Sequence, residues 1–135
     1  MEWFLVIVIL GILFALALPK LADLGGDARR ATLNGALGAV KSAAAISHSA
    51  WLANGTSPAS LTLEGTAVAF STEGYPTATT GGIGGAAQIT TDYTIGTAAA
   101  GVVRIDVTSA TTPATCSFTY NQATAATSTP STAGC

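Results

Sequence analysis

The sequence has few charged residues. Asp, Glu, Lys and Arg make up only 9% of its 135 residues, whereas a soluble domain of this size usually carries about 25%. The five Lys and Arg are scattered along the chain, so they form no basic run and we expect no nucleic-acid partner. Because 49% of the residues are hydrophobic, we expect much of the surface to be buried in an assembly or hydrated by groups other than charges.

Residue types that support catalysis or bind cofactors are also scarce. The single histidine, His48, lies among Ser and Ala, where we expect a partly packed or exposed side chain. The glycine-rich run 81–85 lacks the spacing of a phosphate-binding loop, so we interpret it as a flexible loop. The remaining acids of the C-terminal part occur singly, at Glu64, Glu73, Asp92 and Asp106. The sequence therefore predicts neither an enzyme, a cofactor nor a metal site.

Only two cysteines are present, Cys116 and Cys135. In an exported chain, two cysteines that bracket one polar segment favour a disulfide, and two free thiols are the cytosolic alternative. A zinc site would need two more ligands, and no His, Asp or Glu follows Asp106. The segment 121–134 has almost no apolar bulk to hold it by packing, so we predict that the disulfide attaches it to the preceding strand.

The most informative segment is the apolar run at the start. Every residue from Trp3 to Leu18 is apolar or glycine, without amphipathic period, which predicts a helix buried on all sides. Its length of roughly 24 Å is slightly short of a hydrocarbon core of about 30 Å. A cleaved signal peptide is the alternative, with a cleavage site at residues 15–17, but an acid and no Lys or Arg precedes the run. We interpret residues 1–19 as a transmembrane or filament-core helix.

Glu2 is the exception at the head of this run. A carboxylate there is costly to bury unless it meets a positive partner. One interpretation is that it caps the helix at the membrane interface, next to the positive end of the helix dipole. The other is that it pairs with the amine of another chain.

Residues 20–54 form the second predicted helical segment, which is rich in Ala and Gly. Asp23, Asp27, Arg29 and Arg30 at its start predict a solvated face, with Asp27 and Arg30 as an i,i+3 pair. Asn54-Gly55 predicts the stop. The apolar stripe predicted to pack on the head consists of Leu33, Leu37, Val40, Ala44 and Trp51. A second face of small residues, suited to close helix–helix packing, consists of Ala28, Ala31, Gly35, Gly38, Ser42 and Ala45.

Residues 55–135 predict a β-rich head. Alternating runs at 61–65, 66–70, 102–108 and 115–120 are typical of strands. A glycine-rich connection at 75–93 contains a short helical turn near 82–88. The predicted fold is therefore α+β: a long helix packed on a small antiparallel sheet of three to four strands, closed by a C-terminal disulfide loop.

The N-terminal motif resembles that of type IV pilins. Glu2, Gly11 and Pro19 keep that family's spacing, and the stretches 27–35 and 48–51, with the C-terminal cysteine pair, resemble the mannose-sensitive haemagglutinin (type IVa) branch. Two features differ from the family. Its peptidase recognition phrase and charged leader are missing, so we expect about three mature residues and a leader before Met1. The residues Trp3-Phe4 are also bulkier than is usual there.

The resemblance implies a structural major subunit of a type IV pilus, used for attachment, motility or biofilm formation. It implies a subunit that waits in the inner membrane and is then assembled by the pilus machinery into an extracellular helical homopolymer, with a methylated N-terminus. Glu2 would neutralise the N-terminal amine of a neighbouring subunit or of its own chain there. The segment from Gly11 to Pro19 would lose helix in the filament, since glycine and proline weaken it by about 1 and 3 kcal/mol.

Other functions remain open from the sequence. A type II secretion pseudopilin would bind calcium with C-terminal acids, which are missing after Asp106, and a membrane-anchored binding module would not polymerise. An electron-carrying filament would need closely spaced aromatic residues, and none lies between Phe14 and Trp51. With so little charge, we also expect glycans on the hydroxyls of 108–115 and 124–132, and less so on Asn54, which begins an Asn-Gly-Thr sequon.

Overall fold

The protein is α+β, with one long helix and five short strands. The computed structural model covers residues 1–135, and side chains are described for all residues except 16–23. The elements in chain order are helix α1 (Glu2–Asn54), strands β1 (Ser60–Leu63) and β2 (Thr66–Ala69), helix α2 (Gly85–Ala87), and strands β3 (Tyr93–Ile95), β4 (Val102–Val107) and β5 (Ser117–Asn121).

Helix α1 joins the two helical segments that the sequence predicts. It runs as one continuous helix from Glu2 to Asn54. The helix ends at Asn54, as predicted. Gly55 adopts a left-handed conformation with φ 74°, which interrupts the helical hydrogen bonds. Glycine reaches this conformation without steric cost, and the chain then turns towards β1.

The strands form two antiparallel sheets instead of the single predicted sheet. The strands β1 and β2 make a two-stranded sheet, and β3, β4 and β5 make a three-stranded sheet with β4 in the centre. In the larger sheet Ile105 pairs with Ile95 on one side and with Phe118 on the other. Strand β3 was not predicted from the sequence, because it is only three residues long and follows a glycine-rich segment. Its extended conformation is stabilised by pairing with β4, a non-local contact.

The core lies between α1 and the three-stranded sheet. Alternation along β4 places Val103, Ile105 and Val107 against the helix, and all three are buried. The other buried members of the same hydrophobic cluster are Leu33, Ala36, Val40, Ala43, Ala44, Ala78, Ile83, Ile89, Ala110, Cys116, Phe118 and Tyr120. Since α1 contributes mostly small residues, its backbone can lie close to the sheet.

The glycine-rich run 81–85 is a turn of helix, so the prediction of a flexible loop is wrong. Residues 80–84 form one wide helical turn that continues into α2, and Gly82 and Gly84 are buried. A side chain at Gly82 would collide with Thr77, and one at Gly84 would collide with Ile95. Glycine is therefore required at Gly82, where a Cβ atom would meet the backbone of Thr77, whereas a side chain at Gly84 would need the end of the Ile95 side chain to move. The short helical turn predicted near 82–88 overlaps this element.

Tyr120 ties the sheet to the connection that follows β2. Its ring is buried, and its hydroxyl donates a 2.8 Å hydrogen bond to the carbonyl of Pro76. Burial, with a smaller contribution from Tyr75, raises the pKa of Tyr120 above its ordinary value, so the hydroxyl keeps its proton and remains a donor.

We expect Tyr120→Phe to lower the free energy of unfolding by about 1–3 kcal/mol, because the carbonyl of Pro76 would stay buried without a partner. Urea unfolding of the full chain in mild detergent measures this. The matched control is Tyr93→Phe, whose hydroxyl donates to the carbonyl of Thr32 at 2.9 Å in an exposed position. An equal loss in both variants would contradict the importance of burial at Tyr120.

Candidate functional site

The first part of α1 exposes apolar side chains on every side. Trp3 is 80% exposed and Phe4 75% exposed, and no residue from 2 to 15 is buried. The other large apolar side chains exposed in this segment are Leu5, Val6, Ile7, Val8, Ile9, Leu10, Ile12, Leu13 and Phe14. A continuous apolar surface of this extent is rare on a soluble monomer and marks an interaction surface.

Among residues 1–15 and 24–135, whose side chains are described, no helical stretch is both long and apolar enough to cross a membrane. Pro19 and the rest of 16–19, which the sequence analysis assigns to the apolar segment, lie outside the described side chains. In the single chain α1 is helical through Gly11, so the predicted loss of helix between Gly11 and Pro19 concerns the assembled state and stays a prediction.

Glu2 lies in the first turn of α1 and is exposed. It borders a shallow surface depression together with Trp3 and Val6. Among the described residues the ion pairs are Arg30–Asp27 and Arg104–Asp106, and Glu2 takes part in neither. Its carboxylate therefore remains available for a partner outside this chain.

The stripe assigned to head packing faces the core over most of its length. Leu33, Val40 and Ala44 are buried, and Leu37 is partly buried against the same cluster. Trp51 is half-buried beyond the cluster, where its Nε1 donates to the carbonyl of Pro58 at 3.0 Å. Ala36, Ala43 and Ser47 are also buried, although the predicted stripe does not include them. They continue the stripe at helical spacing, but alanine and serine are common on every face of this segment and so do not mark the packed one.

The face of small residues lies on the opposite side of α1 from the core. All six members, Ala28, Ala31, Gly35, Gly38, Ser42 and Ala45, are exposed. A Cβ atom placed on Gly35 or Gly38 would meet nothing within 4 Å. This face is therefore open to a neighbouring molecule, and its narrow side chains allow two helix backbones to approach closely.

The C-terminal segment 122–135, the tail, is held against the rest of the protein by a disulfide and by hydrogen bonds. The predicted disulfide between Cys116 and Cys135 is confirmed, with the two Cα atoms 4.8 Å apart. Ser131 exchanges backbone hydrogen bonds with Ser117 at 2.8 and 3.1 Å. Arg29 on α1 donates to the carbonyl of Cys135 at 3.2 Å. Part of the supposed solvated face of α1 thus contacts the tail, a contact between residues too distant in sequence to predict.

Asp27 and Arg30 form the predicted i,i+3 pair at 3.0 Å on the exposed surface. Asp23 lies outside the residues with described side chains. A second pair lies on the outer face of β4, where Arg104 binds both carboxylate oxygens of Asp106 at 2.7 and 3.0 Å. The hydrogen bonds to Asp106, and then its negative charge, raise the pKa of Arg104. Asp106 is buried, and this pairing satisfies its charge.

No protein-family model, curated protein or solved structure matches this chain. The resemblance to type IV pilins therefore rests on sequence motifs such as the spacing of Glu2, Gly11 and Pro19, and it stays a prediction.

His48 belongs to an aromatic cluster at the end of α1. Its ring stacks on Tyr75 with 4.2 Å between ring centres, and the ring of Trp51 lies nearly parallel to it with 6.1 Å between centres. Its Nδ1 lies 2.9 Å from the carbonyl of Gly74. Within the part of the chain with described side chains, no three His, Cys, Asp or Glu residues come together as a metal-binding group. The contacts of His48 are those of a packing residue, as the sequence predicts.

The two stretches expected to carry glycans lie on the head surface. Ser109, Thr111 and Thr129 are exposed. Other hydroxyl groups in these stretches already take part in hydrogen bonds within the head. That of Ser128 accepts a hydrogen bond from the backbone nitrogen of Thr119 at 3.0 Å. The stretches thus offer accessible hydroxyl groups, and glycosylation stays a prediction.

Proposed function

We propose that this chain is a structural subunit of a helical filament of the type IV pilus kind. The observation that supports this most is the contrast within α1. Its first part exposes apolar side chains all round, whereas its second part is packed into the head on one face only. One continuous helix thus joins a folded head to a segment that needs an apolar environment supplied by something else.

The exposed segment supports the proposal by its energetics. Moving one large apolar side chain out of water contributes about 1.5–3 kcal/mol, and eleven such side chains from Trp3 to Phe14 are exposed. A bilayer supplies an apolar environment, and so does a bundle of identical helices. Because the two environments are comparably apolar, a subunit can pass from one to the other without exposing this surface to water.

The small-residue face supports close packing between subunits. In apolar surroundings the hydrophobic effect no longer drives one helix onto another, so association depends on close van der Waals contact. Gly35 and Gly38 are exposed on the second part of α1, where they would allow such a contact. Glu2 would supply the specific polar contact at the start of the helix by pairing with an N-terminal amine. Such a pair favours one axial position of each subunit among its neighbours.

Electron microscopy of sheared cell-surface material tests the proposal. We expect negatively stained filaments in cells that express this chain with a leader, and peptide mass spectrometry should identify the chain as their main component. Material that contains the chain only in membranes, without filaments, would contradict the proposal and favour a non-polymerising anchored module.

A bulky residue on the small-residue face should separate assembly from folding. We expect Gly38→Leu to leave the head as stable as before or slightly more so, because leucine has the higher helix propensity and a Cβ there meets no atom within 4 Å. The filament yield should fall strongly, because the helices could no longer approach closely. Thermal unfolding and the yield of sheared filaments measure the two effects.

The matched control is Ala123→Leu, which adds bulk to an exposed position on the loop after β5. We expect its filament yield to stay near that of the wild type. A normal yield from Gly38→Leu would show that this face does not lie between subunits.

A further inference from the structure

The junction between α1 and β1 contains an exposed Asn-Gly-Thr sequence. Asn54 is the last residue of α1, and Gly55 follows it with φ 74°. The side chains of Asn54 and Thr56 are exposed, and the hydroxyl of Thr56 donates a hydrogen bond to Oδ1 of Asn54. The hydrogen bond from Trp51 to the carbonyl of Pro58 closes the turn around these residues.

This arrangement favours attack of the backbone on the asparagine side chain. Asparagine is among the thermolabile residues. Attack of the next residue's backbone nitrogen on its side-chain carbon Cγ closes a five-membered ring. Gly55 has no Cβ, so nothing on that residue obstructs the approach of its nitrogen. The Thr56 hydroxyl donates to the oxygen that gains negative charge during the attack, which stabilises the transition state. The terminal residue of a helix frays readily and samples the required backbone angles.

We propose that Asn54 is a site of spontaneous deamidation, which turns the junction between α1 and β1 into an aspartyl or isoaspartyl linkage. The nitrogen of Gly55 forms a bond to Cγ of Asn54, and the bond from Cγ to Nδ2 breaks. Nδ2 leaves as ammonia, with the proton from the Gly55 amide. Water then opens the five-membered imide. Attack at Cγ yields aspartate, and attack at the main-chain carbonyl yields isoaspartate.

The chain contains a second Asn-Gly pair that serves as an internal comparison. Asn34 and Gly35 are also exposed, but they lie inside α1, with helix on both sides. The regular backbone holds Gly35 in the helical hydrogen-bond ladder, so Asn34 can react only after the helix opens locally. The two sites thus have the same Asn-Gly dipeptide but differ in where it lies in the fold, so a difference in rate reports on the fold.

The modification changes the charge and the covalent geometry of the exposed turn. Either product adds a negative charge at the C-terminal end of α1, where the helix dipole is itself negative. Isoaspartate also inserts a carbon atom into the main chain between the helix and β1. The turn that presents Trp51 and Pro58 would therefore change with the age of the protein. This inference does not depend on the proposed filament function.

The experiment is peptide mapping of the folded full chain during incubation at mildly alkaline pH. Mass spectrometry follows the conversion of amide to acid at each Asn-Gly pair, and an isoaspartate-specific methyltransferase identifies the rearranged product. We expect Asn54 to react faster than Asn34 by a factor on the order of ten or more, since Asn34 is protected by the helix. In the reduced, urea-unfolded chain the two rates should become similar.

Two variants test the hydroxyl. Thr56→Val keeps the shape of the side chain and should slow the reaction of Asn54 severalfold, whereas Thr56→Ser should keep most of the rate. The proposal is overturned if Asn54 and Asn34 react equally fast in the folded protein, or if Asn54 reacts only after unfolding. An unchanged rate in Thr56→Val would overturn the role given to the hydroxyl.

Discussion

Glu2→Ala is expected to abolish filament formation while the subunit still inserts into the membrane and folds its head. In the single chain this carboxylate is exposed at the start of an apolar helix. In a filament core it would be removed from water together with all its neighbours. A buried acid is tolerated there only when a positive group, such as an N-terminal amine, lies next to it.

The effect should be large because the variant leaves the partner amine without a counter-charge. Removing one member of a buried ion pair costs about 3–5 kcal/mol, which weakens each subunit contact by a factor of a hundred or more. The yield of sheared filaments measures assembly, and membrane fractionation measures insertion. Because a polymer repeats this contact in each subunit, we expect no filaments rather than fewer.

Glu2→Gln is the matched variant, because it keeps the size and polarity of the side chain and removes its charge. We expect it to fail like Glu2→Ala if charge pairing is what matters. Filaments at normal yield from either variant would contradict the assigned role of Glu2. A membrane fraction without the subunit would instead show that the substitution acts on insertion.

Loss of the disulfide is expected to have the largest effect on the stability of the head. The bond joins Cys116 and Cys135 across a separation of 19 residues, and a loop of this length restricts the unfolded chain by about 3 kcal/mol. Stabilities of small domains are only about 5–15 kcal/mol. We therefore expect the double variant with serine at both cysteines to unfold at clearly lower urea concentration than the wild type.

The tail should also be held less tightly in the native state. Without the covalent bond its position depends on hydrogen bonds, namely that from Arg29 to the carbonyl of Cys135 at 3.2 Å and the backbone hydrogen bonds of Ser131 and Gly134. The control is the reduced wild type kept in reducing buffer, whose unfolding midpoint should lie close to that of the double serine variant. Equal stability of the oxidised wild type and the variant would contradict the prediction. A peptide map without reduction should show the two cysteine peptides linked.

Local patterns in the sequence were sufficient for the main elements. Apolar residues at helical spacing predicted the packed face of α1, and Leu33, Val40 and Ala44 are buried. Glycine after Asn54 predicted the end of the helix, because only a left-handed residue closes it in this way. The alternation of residues 102–108 predicted β4, whose inward residues form the centre of the core.

The missed features depend on contacts between distant parts of the chain. Strand β3 is only Tyr93–Ile95, and its conformation follows from its pairing with β4. The glycines of 81–85 resemble a loop in sequence, but Gly82 lies directly against Thr77 and Gly84 against the side chain of Ile95, two contacts that local sequence does not show. Arg29 has the composition of a surface residue, and its contact with the tail could not be derived from local sequence.

The sequence by itself determined the apolar segment after Glu2, the periodicity of α1, its end and the identity of the two cysteines, because each depends on residues close together in the chain. The tertiary structure decided that the strands divide into two sheets, that the tail rests against α1, and that the small-residue face of α1 is left open. These depend on which surfaces remain after the core has packed. Packing selects among many combinations of distant residues, and local preference alone does not choose between them.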